Sequence, residues 1–539
     1  MANLPVNPEF NDNLRQLETG DSSHADTFNP NFQKLLNNDV FLKNEVGKAG
    51  KQLEEFGNVV GGLDERLGTA TTFVNSEFEK VTKQLAQKAS EKIVNLRNYV
   101  RFGRLTLPPD FFHNIDFMLY RDMDGKMKHN FDVNRITFDY TKFYVSASGK
   151  AANDGMTEAT PWQTLNYAID QIEANPAVTS AEITVLSNLS RSMAQINSKT
   201  LTKNYIIKGK NENTILSTAE PNLTWTADGT SFKATRSTVS GVFDNKYKVE
   251  FGLPTRYERK IIKAECDAQK GSWYTDGSSI WVNTLDGRIP DTDIFPCLNV
   301  TLWKGILGAD KKFIVRNIVG LNGSAGQAFN IYSTGNIGQL ILDNVKILNT
   351  QANTENSIEI KGIKYSWLFN VITAYAGRDG VNYHTSVVDA GMSAFVFEYN
   401  CVAFENGLTD TVNFNNNCST AHDGMRVLRI GTIGYKSKGP VIADVNGCYS
   451  ILIDCVAHDS VINTGRSTKV AYYFDDAPSS LIANPNGKAM LINCQGGGDV
   501  TWSISGDASF KNGKIQVLNF IGQGFPTDLN LSLLNEVTQ

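Results

Sequence analysis

The chain lacks the features that mark several common classes of protein. Its 15 prolines and 44 glycines among 539 residues are too few for a low-complexity or collagen-like chain. The seven cysteines form no CxxC pair and no zinc-like spacing. We therefore predict no metal site and no cofactor, and we interpret Cys401, Cys455 and Cys494 as small buried apolar residues of a reduced protein.

Long apolar runs and an excess of basic charge are also missing. No stretch approaches the roughly 20 apolar residues of a membrane span, and residues 1–10 are too polar for a signal region. We expect a soluble protein that is made in the cytoplasm without membrane insertion and is delivered outside by lysis or by a particle. The 51 Lys and Arg against 56 Asp and Glu give a net charge of -5 and no basic stripe for a nucleic acid.

The first hundred residues have the pattern of an attachment segment and a stalk. Residues 1–30 are polar, and we predict that they join the protein to a larger particle. From Leu42 to Leu85 apolar residues recur at spacings of four and three, which predicts a helical coiled coil over residues 31–100. Glycines such as Gly57 and Gly61 weaken this helix, so an antiparallel helical hairpin is the alternative.

The rest of the chain predicts a β architecture. Residues 101–142 are irregular and indicate a linker, residues 143–525 a β domain, and residues 526–539 a C-terminal tail. Near the start of the β domain, Thr160 and Pro161 are expected to cap and open an amphipathic helix. Residues 217–297 are rich in Trp, Thr and Asp and indicate an inserted β subdomain.

From about residue 313 the chain repeats itself. Short β runs carry Asn or Asp anchors at successive separations of 27, 26, 30, 54, 39 and 26 residues, and the unmarked run at 426–433 divides the gap of 54 into two turns of 27. The anchors are Asn317, Asn344, Asn370, Asn400, Asp454, Asn493 and Asn519. This period predicts the stacked coils of a solenoid, with the anchors forming a turn ladder that bonds to neighbouring backbone.

Several segments also resemble known families. YVSASGKAANDGMTEATPWQTLNYAI (144–169) resembles the entry coil and capping helix of pectate-lyase-like proteins, and residues 24–46 look like the start of phage tail proteins. The insertion, DGVNYH and STAHDGMRVLRIG are similar to phage tail spikes. The resemblance implies a right-handed parallel β-helix in a homotrimer on the virion tail. It also implies an N-terminus bound to other phage tail or baseplate proteins, and a bacterial surface polysaccharide as the target.

Little sequence follows Ile521, so trimerisation would rest on the stalk and on lateral packing of the coils. No pattern fixes a calcium-dependent lyase site.

Histidines beside carboxylates are the candidate catalytic groups, because such pairs can exchange protons near neutral pH. We predict that they gather on one face of the solenoid, and a hydrogen bond that stabilises a turn is the alternative for each pair. Glu405 and Asp459 would be equivalent two coils apart, at about 10 Å, near the upper limit for an inverting glycosidase. The candidates are Asp379, His384, Glu405, His422, Asp423, His458 and Asp459.

A second group of residues is predicted to bind the substrate. Arg378, Arg426 and Arg429 are candidates for anionic sugar groups, although exposed arginines without such a role are common. Asn382 accompanies them, and Tyr383 is the preferred residue for stacking on a sugar ring.

The leading functional hypothesis is a virion-borne depolymerase, a glycoside hydrolase or a polysaccharide lyase. A non-catalytic receptor-binding spike is the main alternative. A structural tail fibre and a secreted pectate lyase are less favoured. Ester hydrolysis is also less favoured, because Ser419 and His422 lie in no nucleophile elbow.

Overall fold

The structure is a computed structural model that describes residues 105–533 with gaps at 106, 112–114, 123–124, 133–137, 221, 324–326, 336, 351–354, 387–393, 409–415, 463–467 and 511, together with five residues between 44 and 51. The chain forms two compact units, 1–100 and 101–539. The five described residues of the first unit are helical. The rest of the predicted attachment segment and coiled coil, and the end of the predicted tail, lie outside the described residues.

The second unit consists mainly of short strands. It begins with β1 (Leu119–Arg121), β2 (Met127–His129), β3 (Thr141–Val145), helix α1 (Leu165–Ala174), β4 (Ser180–Val185), β5 (Leu189–Ser190), a 3-10 turn (Arg191–Met193), β6 (Ile196–Leu201), β7 (Asn204–Gly209) and β8 (Thr214–Ser217). The predicted insertion follows, with β9 (Thr226–Asp228), β10 (Ser231–Thr235), β11 (Val239–Val249), a 3-10 turn (Glu250–Gly252), β12 (Leu253–Arg256), β13 (Glu258–Arg259), helix α2 (Lys263–Ala268), β14 (Ser272–Thr275), β15 (Ser279–Asn283) and β16 (Ile294–Leu298).

The repeating part of the chain supplies the remaining strands. Its first half contains β17 (Trp303–Leu307), β18 (Lys312–Leu321), β19 (Phe329–Tyr332), β20 (Gln339–Leu348), β21 (Ile358–Lys361), β22 (Tyr365–Phe369), β23 (Ile372–Ala374), β24 (Val381–His384), β25 (Phe395–Tyr399), β26 (Val402–Phe404) and β27 (Ser419–Ala421). Its second half contains β28 (Arg426–Ile430), β29 (Ile433–Tyr435), β30 (Ile442–Asp444), β31 (Tyr449–Ile453), β32 (Val456–His458), β33 (Val470–Phe474), β34 (Lys488–Ile492), β35 (Gln495–Gly497), β36 (Trp502–Gly506), β37 (Asn512–Leu518), β38 (Ile521–Gly522) and β39 (Asn530–Leu533).

Most of these strands stack into three parallel sheets, and the chain passes through them in the order A, B, C in each complete coil. Sheet A runs from β3, β4 and β7 through β22, β25, β28, β31 and β34 to β37 and β39. Sheet B contains β5, β8, β23, β26, β29, β32, β35 and β38, and the long strands β18 and β20 cross from sheet A into sheet B. Sheet C contains β6, β17, β19, β21, β24, β27, β30, β33 and β36. The chain therefore forms a parallel β-helix, as its repeats predict.

The recurring anchors lie at the turn between sheets A and B. All seven have φ between 51 and 56°, a left-handed conformation that Asn and Asp tolerate better than most residues. Asn344 Nδ2 donates to Asn317 Oδ1 at 2.9 Å, and Asn519 donates to Asn493 at 3.2 Å. The predicted turn positions are confirmed, but the prediction that the anchors bond to neighbouring backbone was wrong, because these bonds join side chains to one another.

The predicted coil that lacks an Asn or Asp anchor is also present. Gly431, with φ of 64°, takes the turn position between Asn400 and Asp454. It divides the gap of 54 residues into coils of 31 and 23, so the prediction of two equal turns of 27 was wrong in length. Glycine reaches this conformation without a side chain, which is why an Asn pattern misses it.

Helix α1 differs from its prediction at its start. It begins at Leu165, and Thr164 is its N-cap, accepting a hydrogen bond from the Tyr167 amide. Pro161 instead precedes Trp162, whose amide donates to the Tyr144 carbonyl. The predicted cap at Thr160 was therefore wrong by four residues. The predicted apolar face is buried, and it covers the first coil.

The described residues of the segment predicted as a linker pack against sheet A, and we call those between 105 and 132 the strap. Its aromatic side chains contact those of sheet A, with Phe117 5.5 Å from Phe397 and Phe131 stacked 4.7 Å from Phe369. Asp454, the one acidic ladder residue, lies 3.5 Å from Arg121. The strap is therefore part of the packing of the solenoid and not a free connection.

The insertion forms two small sheets with a core of their own around Trp273, and it also packs on sheet B. Phe243, Leu253 and Phe295 join one apolar cluster with the outward side chains of sheet B, such as Val319. All seven cysteines are buried and free, and the burial of Cys401, Cys455 and Cys494 was predicted. Within the described part of the chain, no helix has the length and apolarity needed to cross a membrane.

Candidate functional site

The outer surface of sheet C in the central coils is polar, and we call it the sheet C face. In β24 the side chains of Val381 and Tyr383 enter the core of the solenoid, so alternation directs Asn382 and His384 outward. Register places Glu359 beside Asn382 in the preceding coil, and Lys361 beside His384. The strap and the insertion pack on the other two sheets, whereas this face carries acidic, basic and amide groups side by side.

Asp379 precedes β24 and is the most perturbed carboxyl group of this face. Its side chain is 6% exposed, and burial raises its pKa to about 6. The backbone N–H of Asn417 donates to Asp379 Oδ1 at 2.6 Å, and Asn382 Nδ2 donates to Asp379 Oδ2 at 2.7 Å. Both hydrogen bonds limit the rise in the pKa of Asp379. A carboxyl group with such a pKa exchanges a proton near neutral pH, as a general acid must.

Asn382 is itself 7% exposed, and its Oδ1 has no hydrogen-bond partner among the described residues. Its amide group can therefore reverse and accept a hydrogen bond if Asp379 becomes protonated. Asn382, predicted to bind substrate, thus lies in direct contact with the candidate acid.

The sequence prediction missed two carboxylates that adjoin Asp379. Asn356 connects Asp379 to Glu359: it accepts from the Asp379 amide at 3.1 Å and donates to Glu359 Oε2 at 3.4 Å. Burial raises the pKa of Glu355, and the nearby charge of Glu359 adds to that rise. The strand register could have revealed Glu359, because its position follows only from aligning the strand SIEIKG with the strand that carries Asn382. Asp379 and Glu359 are thus a candidate acid–base pair.

His384, His422 and Asp423 lie together at the other end of β24 and β27. The two imidazoles stack with centroids 4.2 Å apart, and His384 Nδ1 is 3.5 Å from Asp423 Oδ2. Burial and the adjacent His384 lower the pKa of His422 to about 4, so His422 is neutral at pH 7. Burial acts to raise the pKa of Asp423, but its bonds with His384 and Ser479 outweigh burial and lower it. His384 is 32% exposed and is the accessible member of this group.

Two predicted binding residues lie inside the solenoid. Tyr383 has no exposed surface, so the prediction that it stacks on a sugar was wrong. Arg429 is equally buried, on the inward face of β28, so the prediction that it binds an anionic sugar was also wrong. Both failed because outward and inward residues alternate along each strand, and each was assigned to the outer side.

These interior residues form a buried polar network behind the sheet C face. Arg429 lies 2.6 Å from Asp444 and 3.2 Å from Glu398, and Glu398 also accepts from the Tyr383 hydroxyl at 2.9 Å. The Ala421 amide, immediately before His422, donates to Asp444 at 3.2 Å. Burial acts to lower the pKa of Arg429, but the two carboxylates outweigh it and keep the guanidinium charged. The network therefore fixes the strands that carry the outward groups.

Glu405, His458 and Asp459 lie at a different edge, where sheet B ends. Register makes Glu405 and Asp459 equivalent, as predicted, with Lys436 between them. His458 Nδ1 is 2.7 Å from Asp459, and Lys436 is 3.6 Å from Glu405. The prediction that all the His and Asp pairs gather on one face was therefore wrong, because the chain crosses from sheet B to sheet C between His458 and the strand that continues the sheet C face.

The two remaining arginines separate in the same way. Arg378 adjoins Asp379, and its amide donates to the Glu355 carbonyl at 3.0 Å, so it belongs to the sheet C face. Arg426 lies over the ring of Tyr449 at 5.5 Å, among the outward residues of sheet A. Arg426 was predicted to bind anionic sugar groups, but its position on sheet A separates it from the sheet C face. Among the described residues no group of three His, Cys, Asp or Glu side chains could hold a metal ion.

Comparison with known proteins adds the following. No protein-family model and no curated protein matches the sequence. Among solved structures, a glycoside hydrolase is 9% identical with a TM-score of 0.43, and the match covers 73% of this chain and 99% of that one. The pectate lyase Pel9A is 11% identical with a TM-score of 0.38, covering 73% and 77%. The family 28 exopolygalacturonase of Yersinia enterocolitica is 10% identical with a TM-score of 0.29, covering 77% and 82%.

Proposed function

We propose that this protein is a virion tail spike that recognises and depolymerises a bacterial surface polysaccharide on the sheet C face. The observation that carries the proposal is Asp379, a buried carboxyl group whose pKa is raised to about 6 on a surface shared with Glu359 and the His384–Asp423 pair. Perturbed groups of this kind cluster at catalytic sites more often than elsewhere. A solenoid face also offers a long surface to a linear polymer.

The proposed chemistry is hydrolysis of a glycosidic bond. Protonated Asp379 donates its proton to the glycosidic oxygen as the bond to the anomeric carbon breaks. A water molecule adds to that carbon, and Glu359 takes the proton that the water loses. Each turnover therefore uses Asp379 as the general acid and Glu359 as the general base. His384, held by Asp423, lies two positions beyond Asn382 on the same side of β24 and contacts a neighbouring sugar.

The role in a virion rests on the sequence. The resemblance of residues 24–46 to phage tail proteins and the heptad-like spacing from Leu42 to Leu85 support attachment to a particle and assembly as a homotrimer. Light scattering of the full chain tests the trimer, and a monomer at micromolar concentration would contradict it.

The decisive experiment compares two carboxyl variants on purified surface polymers of candidate hosts. Asp379→Asn is expected to lower the rate of new reducing-end formation at least 100-fold. Asp343→Asn is the matched control, because burial also raises the pKa of Asp343, but that residue lies on sheet A beside Arg316. The control is expected to retain the wild-type rate, and absorbance of an unsaturated product would indicate a lyase instead.

A non-catalytic receptor-binding spike is the second candidate, and one observation favours it. Both Asp379 oxygens already accept hydrogen bonds within the protein, and little of the side chain is exposed. Polymer binding without shortening, equal in wild type and Asp379→Asn, would establish the spike as an adhesin and remove Asp379 from any mechanism.

A further inference from the structure

A groove lies between the insertion and sheet B, on a different sheet from the polar site. Its volume is about 420 Å³, within the range of small-molecule sites. The floor consists of Ile372, Val402 and Ile433, which register stacks on consecutive coils. Ile372 and Val402 are each 8% exposed, so the floor is a narrow apolar strip.

One wall of the groove is an aromatic side chain in a strained conformation. Phe251 has φ of 58° and ψ of 17°, a left-handed conformation that a bulky residue rarely adopts. Lys346 Nζ donates to its carbonyl at 3.2 Å and so holds it there. The ring is 44% exposed although it lies 6.2 Å from Phe404. The fold therefore maintains an exposed aromatic ring beside the groove at a conformational cost, which is typical of a binding site.

The other wall is the part of the turn ladder formed by Asn344, Asn370 and Asn400. Asn344 continues the ladder by donating to Asn317 at 2.9 Å. Asn370, on the next coil, is exposed, and its side chain has no hydrogen bond to another described residue. Because Gly431 has no side chain, the ladder also stops after Asn400. The exposed Asn370 amide therefore remains available to a ligand, and Asn400, about 4.8 Å away on the next coil, also hydrogen-bonds the Tyr399 side chain.

We propose that this groove is a second, non-catalytic carbohydrate-binding site, and that it takes a neutral pyranose oligosaccharide. The apolar face of a pyranose ring matches Phe251 and the aliphatic floor, while its hydroxyl groups match the amides of Asn370 and Asn400. The groove lining contains Lys346 as its only charged residue among those described, and the Lys346 ammonium already bonds the Phe251 carbonyl.

An added peptide strand does not fit this groove. Strands β23, β26 and β29 are each hydrogen-bonded to a neighbour on both sides, so they offer a face and no open edge. The site extends the proposed function, since a groove on sheet B can hold one part of a glycan while the sheet C face acts on another, but binding in it requires no cleavage.

The test measures binding by calorimetry to full-length Asp379→Asn protein, so that no ligand is consumed. The probes are cellohexaose, chitohexaose and hexagalacturonate. At least one neutral hexasaccharide is expected to bind, and Phe251→Ala and Asn370→Gly are each expected to weaken its Kd at least 10-fold. Glycine is chosen because it accepts the φ of 52° at position 370. Phe525→Ala, which removes a ring that is 41% exposed outside the groove, is the matched control and is expected to leave Kd unchanged.

Three results would overturn the groove site. They are no binding of either neutral probe, binding of hexagalacturonate alone, and neutral binding that both groove variants leave unchanged. Failure here is distinct from failure of the depolymerase. Groove variants that cleave polymer but bind as wild type would remove only the second site, whereas binding in the groove without any cleavage by wild type would remove only the enzyme.

Discussion

Sheets A and C are built from the same coils, but the outer surface of sheet A is aromatic and covered by the strap, whereas the outer surface of sheet C is polar. In the coil that contains β22 and β24, Trp367 of sheet A faces the strap, whereas Asn382 of sheet C faces outward with Asp379. Sheet A gains stability by covering aromatic side chains with another segment. Sheet C keeps a buried carboxyl group with a raised pKa, which costs stability. The difference shows that the coil sets the spacing of side chains, while the choice of outward residues decides between a packing surface and a site.

The largest expected effect concerns the interior that both sheets share. Arg429→Met leaves the Glu398 and Asp444 carboxylates buried without their cation and is expected to lower the free energy of unfolding by about 3–5 kcal/mol. Urea unfolding measures it. Replacing the three residues together as Glu398→Gln, Arg429→Met and Asp444→Asn is expected to recover most of the loss. A loss below about 1 kcal/mol for Arg429→Met would show that the network is not the structural centre of the two sheets.

The second prediction contrasts the two outer surfaces directly. Phe117→Ala on the strap removes a buried ring that packs on sheet A and is expected to lower the free energy of unfolding by about 3 kcal/mol. The measurement is hydrogen exchange, which should become faster at strap amides. Lys361→Ala on the sheet C face, where the side chain is exposed, is expected to change stability by less than about 0.5 kcal/mol. Equal effects of the two changes would contradict the division into a packing surface and a site.

The third prediction uses the pKa of Asp379. A folded pKa of about 6 against an ordinary value of 3.8 means that the folded state binds this proton more tightly than the unfolded state. The resulting stability is present below about pH 4 and is lost as the pH rises through 6, by up to about 3 kcal/mol. Asp379→Asn avoids this loss, because Asn382 can reverse its amide, so the variant should match wild type near pH 4 and exceed its melting temperature at pH 7.5. A variant less stable than wild type at pH 7.5 would contradict the raised pKa.

The solenoid could be predicted from sequence because its turns impose a rare backbone conformation. Asn317 and the other anchors repeat where φ is positive, and few residues other than Asn, Asp and Gly are suited to that position. The same logic explains the miscounted coil, since Gly431 serves the turn but resembles any other glycine.

The site was predicted only in part, for two physical reasons. Tyr383 and Arg429 were placed on the outside because a strand flanked by apolar residues does not reveal which of its side chains enters the core, and a fully buried arginine is rare. Glu359 was missed because its position beside Asn382 depends on a register across coils of unequal length. Asp379, His384, His422 and Asp423 were chosen from local sequence alone, and these are the candidates that the fold brings near one another.

The smallest expected effect separates support of the site from support of the fold. Tyr383→Phe and Thr432→Val each remove one hydroxyl that donates to Glu398, at 2.9 and 3.1 Å, and each is expected to cost about 1 kcal/mol of stability. Only Tyr383 lies on β24, between Asn382 and His384, whereas Thr432 lies between sheets A and B. Only Tyr383→Phe is therefore expected to move the ring NMR signals of His384 at fixed pH. That measurement needs no substrate, and identical spectra for the two variants would mean that the interior network stabilises the coils without positioning the groups on the sheet C face.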